Sequence, residues 1–293
     1  MTIGEPAVEV IRTAADLRAA TDGWRAAGGS VGLVPTMGAL HAGHRSLIRR
    51  ARTEQDRVVV SIFVNPLQFG PGEDLDTYPR DEATDLTASE REGVDLVWAP
   101  SVEEVYPPGV DLPAPDPGPV GRSFEGAARP GHFEGVLKVV RRLFDLTGPS
   151  DAYFGEKDAQ QLFLVRRLAA AEPALGVTIV ACPTVREASG LALSSRNARL
   201  TPEERQEASC LFLALTEAAG HARAGERDPQ VLVALMAREI GATSLAGLDY
   251  AAVVDEATFT PVATIDAPSR AIVAARFPSA RLIDNLLLPA PVG

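Results

Sequence analysis

Apolar and polar positions along this chain follow two periods. Five short runs are apolar almost without interruption and rich in β-branched residues: VGLVPT (31–36), VVVSIFVN (58–65), DLVWAP (95–100), DAYFG (151–155) and VTIVACPTV (177–185). Between them apolar residues recur every three to four positions, at about 42–53, 80–92, 133–146 and 158–170. Strands without a polar face must be covered on both sides, and intervening helices are the elements that cover them. The pattern therefore predicts a parallel α/β sheet with right-handed crossovers. AVEVIRT and the AADLRAATDGWRAAG that follows add an opening strand and helix.

The texture changes after about residue 186. TPEERQEASCLFLALTEAAGHARAG predicts one helix, with Thr201 as N-cap and Pro202 in its first turn, and a second helix covers about 228–241. LDYAAVVD, RAIVAARF and RLIDNLLL then follow with no room for a crossover helix between the last two, which predicts antiparallel pairing. The fold expected is a Rossmann-like, doubly wound parallel sheet over residues 1–185 and a smaller α+β C-terminal domain over 186–293. PPGVDLPAPDPGP (107–119) holds six prolines, which exclude a regular helix or central strand; it reads as a loop within the first domain.

Composition narrows the function. A net charge of −11 disfavours nucleic-acid binding, which depends on Lys and Arg releasing counterions, but leaves room for a small anion in a basic pocket. Cys182 and Cys210 stand alone, without metal-binding spacing. No run suits a membrane span and the first residues do not resemble a signal peptide, so a cytoplasmic protein is expected.

The candidate chemistry sits where strands end. PTMGALHAGH (35–44) contains two of the four histidines, His41 and His44, at the exit of a strand and the start of a helix. A helix N-terminus favours anions, Gly38 and Gly43 permit close approach, and imidazoles three apart share a face from which both can donate to one phosphate. Two ordinary histidines, or a zinc pair awaiting further ligands, are the other readings of the same residues. FGEKDAQQ (154–161) offers the Lys157 ammonium for phosphate, Asp158 for ribose hydroxyls and the Gln161 amide for a neutral polar group; a solvated turn is the plain alternative. REASGLALSSRN (186–197) offers Ser194, Ser195 and Arg196 to a pyrophosphate, or is a serine-rich connector. In SIFVNPLQF (61–69) Asn65 and Gln68 follow a strand, although Asn-Pro is also a turn signal. GxxxxGK[ST] and GxSxG are absent, and GGSVG precedes its strand rather than following it.

Taken together, these motifs resemble those of the pantoate–β-alanine ligase (pantothenate synthetase) family, within the HxGH nucleotidyltransferase superfamily. PTMGALHxGH, SIFVNPxQF, DLDTYPR, GHFEGVLKVV, FGEKDxQQ and VREASGLALSSRN occur in family order over roughly residues 31–200. The resemblance implies that ATP and pantoate form pantoyl adenylate and pyrophosphate, and that β-alanine then displaces AMP to give pantothenate. It implies an ATP site of Pro35, Thr36, Met37, Gly38, His41, His44, Gly155, Lys157, Asp158, Val185, Leu193, Ser194, Ser195 and Arg196, with His41, His44 and Lys157 catalytic. Gln68 and Gln161 would hold pantoate, with Asn65 near pantoate or β-alanine. It also implies Mg²⁺ on the phosphates and a homodimer. Family members with paired aspartates and a glutamine after YPR use them as metal contacts; here YPRDEATDLTASE lacks that set, leaving Asp85 as the nearest metal-ligand candidate. His132 is expected either to help cover the site or to act as a hinge. An adenylyltransferase with a stable nucleotide product and a non-catalytic nucleotide-binding regulator are the competing functions.

Overall fold

The computed structural model describes residues 8–289. Two compact units are present: residues up to Glu156 together with Gln160–Pro183, and Lys157–Ala159 together with the chain from Thr184 onward.

The first unit is built on six strands: β1 (Glu9–Ile11), β2 (Val31–Thr36), β3 (Arg57–Ile62), β4 (Leu96–Trp98), β5 (Ser150–Gly155) and β6 (Val177–Cys182). They form one sheet in the order β1-β4-β3-β2-β5-β6, parallel throughout. Helices α1 (Ala14–Ala26), α2 (Ala42–Glu54), α3 (Glu82–Arg91), α4 (Val102–Val105), α5 (Glu125–Ala128), α6 (His132–Thr147) and α7 (Ala159–Ala171) connect them. Side chains alternate across the sheet. Tyr153 packs with Leu47, Ile48 and Ala51 of α2, whereas the next residue, Phe154, meets the Phe144 ring of α6 edge-on. Helices therefore cover both faces, the doubly wound arrangement expected from the uninterrupted apolar runs.

Chain order reverses between β2 and β5: β3 lies on one side of β2, while β5 and β6 lie on the other. The carboxyl ends at such a reversal leave a crevice between outgoing connections, the usual ligand position in open α/β sheets.

The C-terminal unit contains α8 (Pro202–Glu207), α9 (Cys210–Arg223), α10 (Pro229–Gly241) and the antiparallel strands β7 (Gly247–Asp255), β8 (Ser269–Arg276) and β9 (Arg281–Leu287). Its core joins Leu211, Leu215, Leu232, Met236 and Ile240 to Val253, Val273 and Leu282. Thr201 caps α8 as expected, with Glu204 completing a reciprocal capping box. The single helix expected over 201–225 is two helices. At Ser209 the hydroxyl bonds back to the Gln206 carbonyl at 2.8 Å and the amides turn to three-residue bonding, which separates α8 from α9.

The boundary at Pro183/Thr184 lies two residues before the one expected. The larger difference is that Lys157–Ala159 belong with the C-terminal unit, where the Asn285 amide of β9 donates to the Lys157 carbonyl at 2.8 Å.

Candidate functional site

The PTMGALHAGH segment is a built turn. Thr36, the last residue of β2, donates its hydroxyl to the Ser61 carbonyl of β3 at 2.7 Å and accepts from the Gly38 amide at 3.1 Å. The chain then passes through two left-handed residues, Gly38 (φ 83°) and Ala39 (φ 51°). A Cβ on residue 38 would stand 2.7 Å from an Asp85 carboxylate oxygen, so the position requires glycine for space as well as for φ. Asp85, a buried residue of α3, accepts from the Ala39 amide at 2.9 Å and the Leu40 amide at 2.7 Å. Burial pushes its carboxyl above the ordinary range, and the two amides partly offset this. Both oxygens thus serve the turn. Asp85 braces it from α3.

His41 is the N-cap of α2, its Nδ1 accepting from the Gly43 amide at 3.1 Å. A neutral His41 therefore carries its proton on Nε2 and is a donor at that end. The His44 ring stacks on it with centroids 4.1 Å apart. The first turn of α2 contains no acidic residue to neutralise the helix N-terminus. The segment combines helix dipole, backbone amides and two imidazoles beside the crevice, which suits an anion.

Asn65 and Gln68 follow β3 across a single 3₁₀ turn, Pro66–Gln68. Asn65 is only 1% exposed, and its contacts are internal: Oδ1 accepts from the Leu67 amide and the Tyr106 hydroxyl, and Nδ2 donates to the Gly135 carbonyl and to Gln68 Oε1. All four of its hydrogen-bonding positions are thus engaged within the protein, one of them on Gln68. The backbone of Gln68 is pinned separately. Its carbonyl accepts from His132 Nδ1 at 2.9 Å and Arg129 Nη2 at 3.2 Å, and Arg129 is paired with Glu73 at 2.6 Å. Burial, reinforced by the neighbouring Arg129, lowers the His132 pKa to about 4. His132 thus has a structural contact of its own, a role the sequence left open between cover and hinge. Helix α6 approaches this turn so closely that a Cβ on Gly135 would lie 2.1 Å from the Leu67 carbonyl.

Gly155 ends β5 beside β2, and Gln161 lies in the first turn of α7, half-buried. Its neighbour Gln160 is fully engaged in structure, donating to the Val120 and Ser123 carbonyls and accepting from the Glu125 amide.

The C-terminal unit holds the other candidates. Lys157 and Asp158 occupy a 3₁₀ turn, with Lys157 Nζ 3.7 Å from Asp158 Oδ1. Val185 and Leu193 face each other across a narrow hairpin, the Leu193 amide donating to the Val185 carbonyl at 2.9 Å. Ser194 caps the 3₁₀ segment Ser195–Arg199 by accepting from the Arg196 amide at 3.2 Å. The hairpin is anchored by Arg186, which forks onto Asp284 and stacks 4.2 Å over the Phe212 ring. Sequence reasoning missed Tyr106, Arg129 and Arg186, which act through partners distant in the chain; a tyrosine in EVYPP or an arginine in TVREA carries no local signal of such a role.

The Pantoate-beta-alanine ligase family model matches residues 9–287. The chain belongs to this family. Pantothenate synthetase of Roseiflexus sp. (strain RS-1) is 51% identical over 283 residues, covering 97% of this chain and 100% of the relative. The crystal structure of pantothenate synthetase from Thermus thermophilus superposes with a TM-score of 0.89 at 47% identity, covering 96% of this chain and 100% of that one. Pantoate-beta-alanine ligase from Francisella tularensis, crystallised with beta-gamma ATP and beta-alanine, gives a TM-score of 0.78 at 33% identity over 96% of this chain and 98% of that one. Membership covers both units, so the antiparallel C-terminal unit is part of the family fold.

Among the described residues no group of three His, Cys, Asp or Glu is placed to hold a metal ion, and no helix is long and apolar enough to cross a membrane.

Proposed function

We propose that this chain condenses (R)-pantoate with β-alanine, forming pantothenate and converting ATP to AMP and pyrophosphate through pantoyl adenylate. Family membership over nearly the whole chain supports the reaction class. The observation that carries the site assignment is the α2 N-terminus, where His41 is locked as an Nε2 donor by its own cap bond and His44 stacks beside it.

In the first step a pantoate carboxylate oxygen attacks the α-phosphorus, an acyl–phosphate bond forms, and the α–β phosphoanhydride bond breaks. The protein need supply no nucleophile. It must align the reactants and neutralise the charge that grows on the leaving pyrophosphate. His41 and His44 donate to the phosphates, and His44 delivers a proton towards the departing oxygen, a contribution of about 10²–10⁴ in rate for a general acid. Lys157, Ser194, Ser195 and Arg196 also bind phosphate oxygens; Asp158 accepts from ribose. Pro35, Thr36, Met37, Gly38, Gly155, Val185 and Leu193 shape the nucleotide site mainly through backbone. Gln68 and Gln161 hold pantoate, and Mg²⁺ enters with ATP. In the second step the neutral amine of β-alanine attacks the acyl carbon, the carbon–nitrogen bond forms, and AMP leaves with the acyl–phosphate electron pair while the amine loses its proton. Exclusion of water protects the mixed anhydride between the steps. The cytoplasmic, homodimeric state expected of the family completes the reading.

AMP release is the deciding measurement. Protein, magnesium, ATP and pantoate should release AMP at a rate that rises strongly on adding β-alanine. AMP formation indifferent to β-alanine would instead indicate an adenylyltransferase, and ATP binding without pyrophosphate exchange a non-catalytic regulator.

A further inference from the structure

We propose that Tyr106 is a positioning residue for pantoate, acting at a distance through Asn65 on the amide of Gln68. The inference rests on the reading of Gln68 as a pantoate contact. What it adds is the origin of that contact's polarity.

A side-chain amide can be placed either way round, and its neighbours decide which end faces a ligand. At Asn65 they leave one solution. The Leu67 amide can only donate, at 3.2 Å, and the Gly135 carbonyl can only accept, at 3.1 Å, so Oδ1 faces the first and Nδ2 the second. The Tyr106 hydroxyl lies 2.9 Å from Oδ1 and must therefore donate to it. With Oδ1 held by two donors, the remaining Nδ2 proton points to Gln68 Oε1 at 3.2 Å. Gln68 consequently spends its oxygen inward and offers its NH₂ group, whose nearest partner is the weakly accepting Met37 sulfur at 2.8 Å. A donor at that position selects a ligand with an acceptor, the carboxylate or a hydroxyl oxygen of a hydroxy acid, and disfavours a cation.

The Tyr106 hydroxyl suits the task because burial pushes its pKa well above the ordinary phenol value, so it stays a donor across the working pH range. Its ring is fixed by the edge-on Phe63 ring 6.1 Å away and by the Lys138 ammonium 5.8 Å from its centroid. The chain Tyr106→Asn65→Gln68 is thus directional: the Leu67 amide and the Gly135 carbonyl fix which way Asn65 faces, and the Tyr106 hydroxyl, as second donor to Oδ1, holds it there.

The test is Tyr106→Phe, which removes one oxygen atom and keeps the ring. With ATP and β-alanine saturating, the variant should show a KM for pantoate raised about fivefold, the worth of one ordinary hydrogen bond, with the KM for ATP unchanged. A double-mutant cycle with Gln68→Ala supplies the readout a merely structural role would not move: in the Gln68→Ala background the effect of Tyr106→Phe on pantoate should vanish. A normal pantoate KM in Tyr106→Phe, equal rises for all substrates, or an undiminished effect in the Gln68→Ala background overturns the assignment. Lack of pantothenate formation by the unmodified protein would overturn the ligase reading instead, so the two failures are distinct.

Discussion

His41 commits one ring nitrogen to its own backbone, which leaves the other able only to donate. With the role proposed for it above, one side chain serves as helix cap and phosphate ligand, and substitution can separate the two. Asparagine is as good an N-cap as serine or aspartate, so His41→Asn should keep thermal stability close to that of the parent, whereas alanine should lose about 1 kcal/mol with the cap. Both variants lack the outward donor, and both should lose about 10²-fold in turnover, the scale of a single electrostatic donor. Unchanged turnover in His41→Asn, read beside its melting curve, would reduce His41 to a cap. His132 yields a pH prediction. Its native pKa of about 4 lies below the ordinary value of 6.5 because burial and Arg129 disfavour the charged ring. Between those values the unfolded chain binds a proton that the native state refuses, so stability falls as pH drops through the window, by at most about 1.4 kcal/mol per pH unit from one group. Urea unfolding at pH 4.5 and 6.5 should show a smaller pH difference for His132→Gln than for the parent; identical differences would refute the assignment.

Elements explain why the histidine turn is precise enough to act. Helix α3 acts on this turn through its buried Asp85, which reaches across to the Ala39 and Leu40 amides and stabilises a left-handed pair that a free chain would avoid. Asp85→Ala should leave two amides unsatisfied and cost about 1–3 kcal/mol, moderated by removal of a buried charge. It should also raise the KM for ATP, because the displaced turn carries His41. Chemical denaturation and steady-state kinetics check the two parts, and a variant normal in both would show the brace to be idle. Much of this scale was legible from residues alone. Strands β2 to β5 emerged because burial on both faces keeps their runs almost wholly apolar, β6 because its run is rich in β-branched residues although only Cys182 is buried, and Thr201 before Pro202 marked the start of α8. The bracing role of Asp85 did not emerge. An aspartate in a helix reads as a solvated residue or a metal ligand until the element opposite is known. The break at Ser209 was equally hidden, since ASC continues an amphipathic pattern without a glycine or proline.

On the scale of the whole molecule, the groups proposed above to bind phosphate belong to two units in a way that linear order conceals. Lys157 follows β5 by two residues, yet its carbonyl is held by Asn285, 128 positions away. Asn285 Oδ1 in turn accepts from Arg270 at 2.5 Å, and Arg270 forks onto Glu256. Asp284, one residue earlier on β9, carries Arg186 and with it the hairpin leading to Ser194 and Arg196. Two adjacent residues of one strand therefore anchor both cationic segments. No sequence pattern announces such an arrangement, because every link joins residues far apart in the chain. Asn285→Asp isolates the Lys157 link: the carboxylate still accepts from Arg270 but has no proton for the Lys157 carbonyl and repels it. If β9 positions Lys157 for the nucleotide, this variant should turn over about tenfold more slowly with a raised KM for ATP, the KM for pantoate unchanged, and a melting temperature near that of the parent. Turnover at the parental level would show that Lys157 needs no such anchor. An equal loss of pantoate affinity would show that β9 supports the fold as a whole rather than this lysine.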